Sequence, residues 1–410
     1  MPPDKPYLAR AVEPGLRTRL DTFPVVAIVG ARQTGKTTLA RALPDRDRLY
    51  VTLDDLDILD QARREPRQLL RRAPRMTVDE VQREPALLLA IKREVDRERT
   101  PGRFLLTGSA NLLLMRDVSE SLAGRAAYVT LWPLTVAERA GRGRAGRWST
   151  FFDEPVARWR DAVAGAEVTL TSPWEELARR GGYPTPAYQL DSEEQRALWF
   201  DGYVRTYLER DLRDLSAIEN LADFRRLMRA ACLRLGNVLN QAELARDVGL
   251  PPSTAQRYLG LLETSYQLIR LEPFAMNRTK RLVKSPKLFW SDTGLALHLA
   301  QEARPRGAHL ENLVLGDLLV WRELPTPAPR VLYWRTSKGT EVDFVIEWGE
   351  RVLPVEVKSG SRVRTADARG LRAFLEEYGD LASGGLILHD GDETFWIGDG
   401  VLAAPWRRVL

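Results

Sequence analysis

Residues 25–43 read VVAIVGARQTGKTTLARAL, a short apolar run followed by a glycine-bounded loop and a segment with helical spacing. This order predicts a strand, a loop and a helix. Residues 30–37 match the pattern Gly-x-x-x-x-Gly-Lys-Thr at every specified position. In such a loop the backbone N–H groups face phosphate oxygens, the lysine reaches the β- and γ-phosphates, and the last hydroxyl ligates Mg²⁺. The sequence therefore predicts a site for ATP and Mg²⁺, formed by Gly30, Ala31, Arg32, Gln33, Thr34, Gly35, Lys36, Thr37 and Thr38.

Further apolar runs follow this loop. They lie at residues 48–55, 75–80, 103–109 and 126–134, and helical stretches such as residues 85–99 separate most of them. Short apolar strands that alternate with helices indicate a parallel α/β sheet with both faces covered. The sequence therefore predicts an α/β domain of this kind over residues 1–185. Residues 139–172 show no clear period, and we interpret them as an irregular insertion or lid.

Polar residues at the strand ends are candidates for hydrolysis of ATP. Asp79 and Glu80 end the run RMTVDE. Asp79 is placed to hold the Mg²⁺ hydration shell, and Glu80 is placed to polarise the attacking water. Acidic pairs are commonly solvated loop residues, but the position after a strand favours the catalytic role. Thr107 and Ser109 end the next run and are candidate γ-phosphate sensors, or alternatively helix caps. Arg125 is a candidate for stabilising transition-state charge, either in its own subunit or in a neighbouring one.

Several of these segments together resemble a known family. The runs GARQTGKTTL, LDD, VDEVQ, LLTGSAN and SLAGR, with GGYP at residues 181–184, are similar to the AAA+-related ATPases of bacteria and archaea that carry a C-terminal domain of uncharacterised function. The resemblance covers about residues 20–375. It implies an AAA+-like P-loop core that hydrolyses ATP, and it likens GGYP to the glycine–proline motif that follows this core.

Residues 240–273 have the pattern of a helix, a tight turn and a second helix. The basic residues that follow are compatible with a β wing, so residues 186–300 are predicted to form a helical, winged-helix connector. Such a module either binds DNA or serves as a spacer or protein contact. In the DNA-binding alternative, one set of side chains faces the major groove and a second set contacts phosphates. The first set is Ser253, Thr254, Gln256 and Arg257, and the second is Arg278, Lys280, Arg281, Lys284 and Lys287.

The last hundred residues contain two acids and a lysine at strand spacing. Asp343 lies in EVDFVIE, and Glu356 and Lys358 lie in the next predicted strand, EVK, where residues two apart share a face. Two carboxylates can bind Mg²⁺ or Mn²⁺ while a lysine orients or deprotonates water, and Glu311 is a candidate third carboxylate. The pattern resembles the PD-(D/E)XK nuclease core, with Val342 in place of the motif's proline. This implies a restriction-endonuclease-like α/β domain over residues 301–410, either cleaving nucleic acid or retained as a binding scaffold.

Composition limits the remaining choices. The first 14 residues contain charges and prolines, and no apolar run is long enough to cross a bilayer, so we expect a cytoplasmic protein without a membrane partner. The net charge of +5 is modest for 410 residues, so expected DNA binding depends on local clusters. The preferred function is an ATPase that acts on or is regulated by DNA. The alternatives are an ATP-driven switch whose C-terminal domain binds a partner without cleavage, and a DNA-binding regulator with an ATP-dependent conformation. A homo-oligomer is compatible with all three.

Overall fold

The structure is a computed structural model. It describes residues 7–43, 47–108, 122–168, 172–206, 218, 220–276, 285–398 and 400–410.

The N-terminal part contains the predicted parallel sheet. Its five strands are β1 (Val25–Val29), β2 (Arg48–Thr52), β3 (Arg75–Asp79), β4 (Phe104–Thr107) and β5 (Ala126–Thr130), in the order β2-β3-β4-β1-β5. The helices are α1 (Glu13–Thr22), α2 (Lys36–Ala42), α3 (Leu56–Arg64), α4 (Pro66–Leu70) and α5 (Ala86–Arg97), with a 3₁₀ turn at Val81–Arg83. All five residues of β1 are buried, because this strand lies between β4 and β5 and both faces of the sheet are covered. The carboxyl ends of β1, β3 and β4 therefore meet at one edge.

The described residues of 136–168 and 172–203 are mostly helical. The elements are α6 (Val136–Arg139), α7 (Thr150–Asp153), α8 (Val156–Ala164), α9 (Trp174–Arg180), a π-helix (Thr185–Gln189) and α10 (Glu193–Tyr203). Trp148, Phe152 and Trp159 are buried here, and the Arg147 N–H donates to the carbonyl of Val409 at 2.7 Å. Residues 139–172 were predicted to be an irregular insertion or lid. Residues 140–149 indeed contain no helix or strand, whereas α7 and α8 between residues 150 and 164 correct the prediction there. This segment packs against the C-terminal part through aromatic side chains, whose spacing does not follow one helical period.

The middle part consists of three helices and a two-stranded antiparallel sheet. They are α11 (Leu221–Leu233), α12 (Gln241–Asp247), α13 (Pro252–Thr264), β6 (Leu268–Leu271) and β7 (Lys287–Trp290), followed by α14 (Thr293–Ala300). The predicted helix, turn and helix are present. The second helix, α13, begins at Pro252 and has no side-chain cap.

The C-terminal part is built on a six-stranded mixed sheet. Its elements are α15 (Gly307–Trp321), β8 (Arg330–Arg335), β9 (Glu341–Trp348), β10 (Arg351–Lys358), a 3₁₀ turn (Thr365–Ala368), α16 (Arg369–Tyr378), β11 (Gly385–His389), β12 (Phe395–Trp396), β13 (Val401–Pro405) and α17 (Trp406–Val409). The strand order is β12-β13-β11-β10-β9-β8. Strands β9 and β10, which contain the predicted acids and lysine, form an antiparallel hairpin in which Phe344 pairs with Val355. Strands β12 and β13 were not predicted from the sequence.

One hydrophobic core connects the three parts. Leu310 and Leu318 of α15 belong to the same buried cluster as Ile28 of β1 and Leu262 of α13. Burial of apolar surface is the main favourable contribution to folding. The C-terminal part is therefore packed onto the other two rather than loosely tethered to them.

Candidate nucleotide site and carboxylate cluster

The loop after β1 has the curled backbone that phosphate binding requires. Gly30 and Gly35 have φ values of 141° and 94°, which side chains with a Cβ rarely adopt. A Cβ on Gly30 would lie 2.4 Å from the carbonyl oxygen of Leu131, so close approach also requires glycine there. The Thr34 hydroxyl donates to the carbonyl of Ala31 at 2.9 Å and closes the loop. The loop from Gly30 to Thr38 therefore lies at the edge where β1, β3 and β4 end.

The ammonium group of Lys36 is buried within this loop. It donates to the carbonyl oxygens of Gly30 at 3.1 Å and Ala31 at 2.7 Å. Burial lowers the pKa of Lys36 to about 8, against the weaker opposing effect of the Glu80 charge. The lysine is thus a cation held at the loop, where a phosphate group would strengthen its protonated form.

Asp79 is the centre of a hydroxyl cluster next to the loop. The Thr37 hydroxyl lies 3.0 and 3.1 Å from its two carboxylate oxygens, and the Thr107 hydroxyl also donates to it. The Tyr50 hydroxyl donates to Asp79 at 2.6 Å. Hydroxyl and carboxylate oxygens are suitable Mg²⁺ ligands, directly or through water, so Thr37 and Asp79 fit the predicted ion. Bound there, Mg²⁺ would neutralise charge that develops on the phosphates.

Glu80 follows Asp79 in a left-handed conformation with φ of 57°. Its carboxylate accepts a hydrogen bond from the side chain of Gln82, and its N–H donates to the Thr107 hydroxyl at 3.4 Å. The predicted base and one predicted sensor, Thr107, are therefore neighbours. The other predicted sensor, Ser109, lies outside the described residues.

Arg125 lies at the opposite edge of the sheet from the phosphate loop. Its carbonyl accepts from the N–H of Val25, the first residue of β1, whereas the loop follows the last. A five-residue strand spans about 13 Å. The side chain of Arg125 also pairs with Asp96 at 2.5 Å. This placement corrects the prediction of a role in its own subunit's site, while a role in a neighbouring subunit stays a prediction.

A buried ion pair that sequence reasoning missed supports the loop. Arg10 donates to the carbonyl of Thr34 at 2.9 Å and to the carbonyl of Trp132 at 2.7 Å, and it pairs with Glu138 at 3.0 Å. Both charged groups are buried. Arg10 lies in a segment with no regular pattern, and its partner is 128 residues away, so no local signal identified the pair.

The GGYP motif lies next to the same loop. Pro184 Cγ lies 3.8 Å from the position that a Cβ on Gly35 would take. Tyr203 donates to the carbonyl of Arg32 at 3.4 Å, and it lies 3.1 Å from the hydroxyl of Tyr183. Gln267, just before β6, bonds to both tyrosines. Polar contacts therefore run from the phosphate loop to the middle part.

The predicted groove-facing residues lie on one helix. On α13, Ser253, Gln256 and Arg257 are exposed and Thr254 is half-buried. Four predicted phosphate contacts, Arg278, Lys280, Arg281 and Lys284, lie outside the described residues.

Lys287 does not face solvent, which corrects its prediction as a phosphate contact. Its side chain is 2% exposed, it is in contact with Glu341, and its ammonium nitrogen lies 3.3 Å from Asp343 and 4.0 Å from Glu311. Although burial lowers the pKa of Lys287, the charges of Asp343, Glu311 and Glu341 raise it above its ordinary value overall. The sequence placed this lysine in a basic run, but the antiparallel pairing of β7 turns it inward.

The C-terminal acids come together, but not as a ready metal site. Asp343 accepts from the N–H of Val357 at 2.9 Å, and Glu356 accepts from Lys358 at 2.7 Å. Burial and the charge of Asp343 raise the pKa of Glu311 to about 8 and that of Glu356 to about 7. Within the part of the chain that the structure describes, no three His, Cys, Asp or Glu side chains are grouped to hold a metal ion. The predicted ligand set of Glu311, Asp343 and Glu356 therefore stays a prediction.

None of the described helices combines the length and the apolar character needed to span a membrane.

Three family models match successive stretches of the chain. Residues 22–140 match the family model described as AAA domain. Residues 171–306 match a domain of unknown function (DUF8612), and residues 306–409 match another (DUF4143). Together with the loop geometry, the first match makes the N-terminal part an AAA-type P-loop ATPase domain.

Solved structures show weaker similarity. The Walker-type ATPase paby2304 of Pyrococcus abyssi is 16% identical with a TM-score of 0.43, covering 72% of this chain and 98% of that one. Cdc6p from Pyrobaculum aerophilum is 15% identical with a TM-score of 0.26, covering 79% and 98%. TM-scores this low support no conclusion about fold or function.

Curated relatives span most of the chain. The uncharacterized protein MJ1544 of Methanocaldococcus jannaschii is 22% identical over 364 residues, which cover 85% of this chain and 78% of the relative. The uncharacterized proteins Mb2031c of Mycobacterium bovis and Rv2008c of Mycobacterium tuberculosis are each 35% identical over 407 residues, which cover 96% of this chain and 83% of each relative. The chain therefore belongs to the family of these two mycobacterial proteins, and its N-terminal part is that of an AAA+-like ATPase.

Proposed function

We propose that the protein is a Mg²⁺-dependent ATPase whose nucleotide state is coupled to DNA binding through the middle helices. The observation that carries the ATPase proposal is the meeting of Lys36, Thr37, Asp79, Glu80 and Thr107 at one edge of the sheet. These side chains supply a phosphate cation, Mg²⁺ ligands, a base and a sensor.

Each residue then has a distinct part in hydrolysis. Lys36 binds the β- and γ-phosphates, and Thr37 and Asp79 would hold the ion that bridges them. Glu80 polarises the attacking water. The hydroxyl of Thr107 donates to the Asp79 carboxylate and accepts from the Glu80 N–H, and so it fixes the position of one residue relative to the other. Tyr50 keeps its proton, because burial and the hydrogen bond to Asp79 raise its pKa to about 12, and so it orients that carboxylate as a donor.

Two substitutions separate binding from hydrolysis. Lys36→Ala should abolish tight ATP binding, because the phosphates lose their cation. Glu80→Gln should keep ATP affinity and lower kcat by about 10² or more, since only water activation is removed. Fluorescent-nucleotide titration and phosphate release measure the two effects. Glu84→Gln is the matched control, because Glu84 pairs with Arg63 instead. Wild-type turnover of Glu80→Gln would show that the base is assigned wrongly.

The DNA part of the proposal is supported by α13, whose exposed polar side chains precede the β6–β7 pair as in a winged helix. Arg257→Ala should weaken DNA binding, because an arginine that faces the major groove is lost. Removal of its positive charge from the interface should also reduce the slope of log affinity against log salt by about one unit. Fluorescence anisotropy over a salt series measures this, and Arg362→Ala, an exposed C-terminal arginine, is the control. An unchanged slope, or no binding at low salt, would count against DNA recognition by α13.

A second candidate function is an ATP-driven switch whose C-terminal domain binds a partner without cleaving it. The position of Lys287 beside Glu341 and Asp343 favours this candidate. Its ammonium group neutralises carboxylates that would bind metal ions in a nuclease. Low ATP turnover that does not respond to DNA, together with no nicking in Mg²⁺ or Mn²⁺, would support the switch. Asp343-dependent nicking would instead support the predicted nuclease.

A further inference from the structure

We infer that Lys287 is the resident cation of the C-terminal carboxylate cluster, so that this site holds a lysine ammonium in place of a divalent metal ion. The cluster is defined as Glu311, Glu341, Asp343 and Glu356 with Lys287 and Lys358. This inference goes beyond the proposed ATPase and does not depend on it.

The first observation is the position of the ammonium group. It contacts Glu341, lies 3.3 Å from Asp343 and lies 4.0 Å from Glu311, and its side chain is almost completely buried. Its nitrogen also lies 5.8 Å from the centre of the Tyr333 ring. A buried ammonium is stable only when it is paired, and here three carboxylates from α15 and β9 provide the pairing.

The second observation is that the backbone of Lys287 is fixed. It pairs with Leu271 of β6, and it forms an isolated bridge with Val238. The next residue, Leu288, donates to the carbonyl of Asn237 at 3.0 Å. The lysine therefore cannot leave the cluster by a movement of an exposed loop; its side chain would have to move within a packed interior.

The third observation concerns the oxygens that a metal ion would need. One oxygen of Asp343 accepts from Val357 and the other lies beside Lys287, while one oxygen of Glu356 accepts from Lys358. The second oxygen of Glu356 is buried without a hydrogen-bond partner. Mg²⁺ binds oxygens at about 2.0–2.1 Å in an octahedron, and a nearby ammonium repels it. The residues present therefore do not fit a divalent ion while Lys287 is in place.

This arrangement has a mechanical consequence. Lys287 begins β7 of the middle part, whereas its partners lie on the first helix and the central hairpin of the C-terminal part. The ion pairs of Lys287 thus join the middle part, which is the candidate DNA-binding part, to the C-terminal part. A metal ion at this site would join only C-terminal residues to each other.

Mn²⁺ binding tests the inference without reference to activity. Every variant is the full-length chain with Asp79→Asn, so that the nucleotide site does not contribute to Mn²⁺ binding. Free Mn²⁺ is measured by electron paramagnetic resonance. With Lys287 intact we expect no saturable Mn²⁺ site. Lys287→Met should gain one Mn²⁺ equivalent, and adding Asp343→Asn should remove it. Lys338→Met, at an exposed lysine of the β8–β9 turn, should gain none.

Two results would overturn the inference. One is an Mn²⁺ site in the chain with Lys287 intact that disappears on Asp343→Asn; this comparison needs no Lys287 variant and so stands even if Lys287→Met fails to fold. The other is a folded Lys287→Met chain that gains no site. Thermal melts give a second readout, because Mn²⁺ should raise the melting temperature of Lys287→Met and leave that of the Lys287 chain unchanged.

Discussion

At the scale of single residues, Lys36 determines how ATP binding responds to pH. Its ammonium group is enclosed by the loop, and burial lowers its pKa to about 8 in the nucleotide-free protein. A bound phosphate favours the charged lysine and raises that pKa again. ATP therefore binds the protonated form, and its affinity is constant below the free pKa and falls above it.

We predict that ATP affinity drops about tenfold between pH 7 and pH 9, as expected for one required proton with a pKa near 8. Titration with a fluorescent ATP analogue at saturating Mg²⁺ measures the change. Lys36→Arg is the control, because a guanidinium stays charged over this range and should bind ATP more weakly but with little pH dependence. Equal pH dependence in both proteins would assign the proton to another group.

At the scale of elements, α7, α8 and the residues before them connect the ATPase sheet to the C-terminal part. Asp317 of α15 accepts from the N–H of Gly146 at 2.8 Å and from the indole of Trp148 at 2.6 Å. Phe152 packs against Trp321 and Trp348 with ring centres 6.2 and 5.3 Å apart. Burial raises the pKa of Asp317 to about 7 from an ordinary value of 3.8.

This pKa predicts a pH-dependent stability. When an acid has a higher pKa in the folded than in the unfolded chain, the free energy of unfolding falls as pH rises through the interval between the two values. For Asp317 this interval runs from about 4 to about 7, and the total loss is on the order of 4 kcal/mol. Asp317→Asn should therefore gain stability relative to wild type between pH 5 and pH 8. Thermal melts by near-ultraviolet circular dichroism at both pH values measure this.

Because other acids titrate in the same range in both proteins, only the difference between variant and wild type is informative. Asp153→Asn, an exposed aspartate of α7, is the control and should show no such change. A constant difference for Asp317→Asn would mean that Asp317 is ionised throughout.

At the scale of the whole molecule, Tyr203 connects the phosphate loop to the middle part of the chain. Its hydroxyl donates to the carbonyl of Arg32, lies 3.1 Å from Tyr183 and accepts from Gln267 at 3.1 Å. Its ring stacks on Trp199 with centres 5.2 Å apart. Removing the hydroxyl alone would leave the packing and break the polar connection.

If ATP and DNA binding are coupled as proposed, Tyr203→Phe should reduce the effect of ATP on DNA affinity by about fivefold, the equivalent of one hydrogen bond of about 1 kcal/mol. DNA affinity without nucleotide should be unchanged. Anisotropy titrations with and without ATP, with Tyr378→Phe of α16 as control, measure both. An unaltered ATP effect would mean that the coupling takes another route.

The sequence by itself determined the strands of the N-terminal sheet and the position of the nucleotide loop. The runs at 24–30, 48–55, 75–80, 103–109 and 126–134 contain the five strands, and the loop residues from Gly30 to Thr38 lie where the motif predicts. Local patterns suffice there, because a strand buried on both faces must be apolar, and because the carboxyl ends of parallel strands share one edge. Asp79 and Thr107 meet at that edge for this reason.

Only the tertiary structure decided which charged groups are enclosed and by what. Arg10 and Glu138 are 128 residues apart and form a buried pair, and Arg125 lies at the end of the strands away from the phosphate loop. Lys287 appears in the sequence as one more cation of a basic run, yet it lies among the carboxylates of α15 and β9. The charge pattern of a sequence shows which residues are polar. It does not show which face of a strand is covered by an element that is distant in the chain. Burial of an ion depends on that distant element, because only a paired charge is stable away from water.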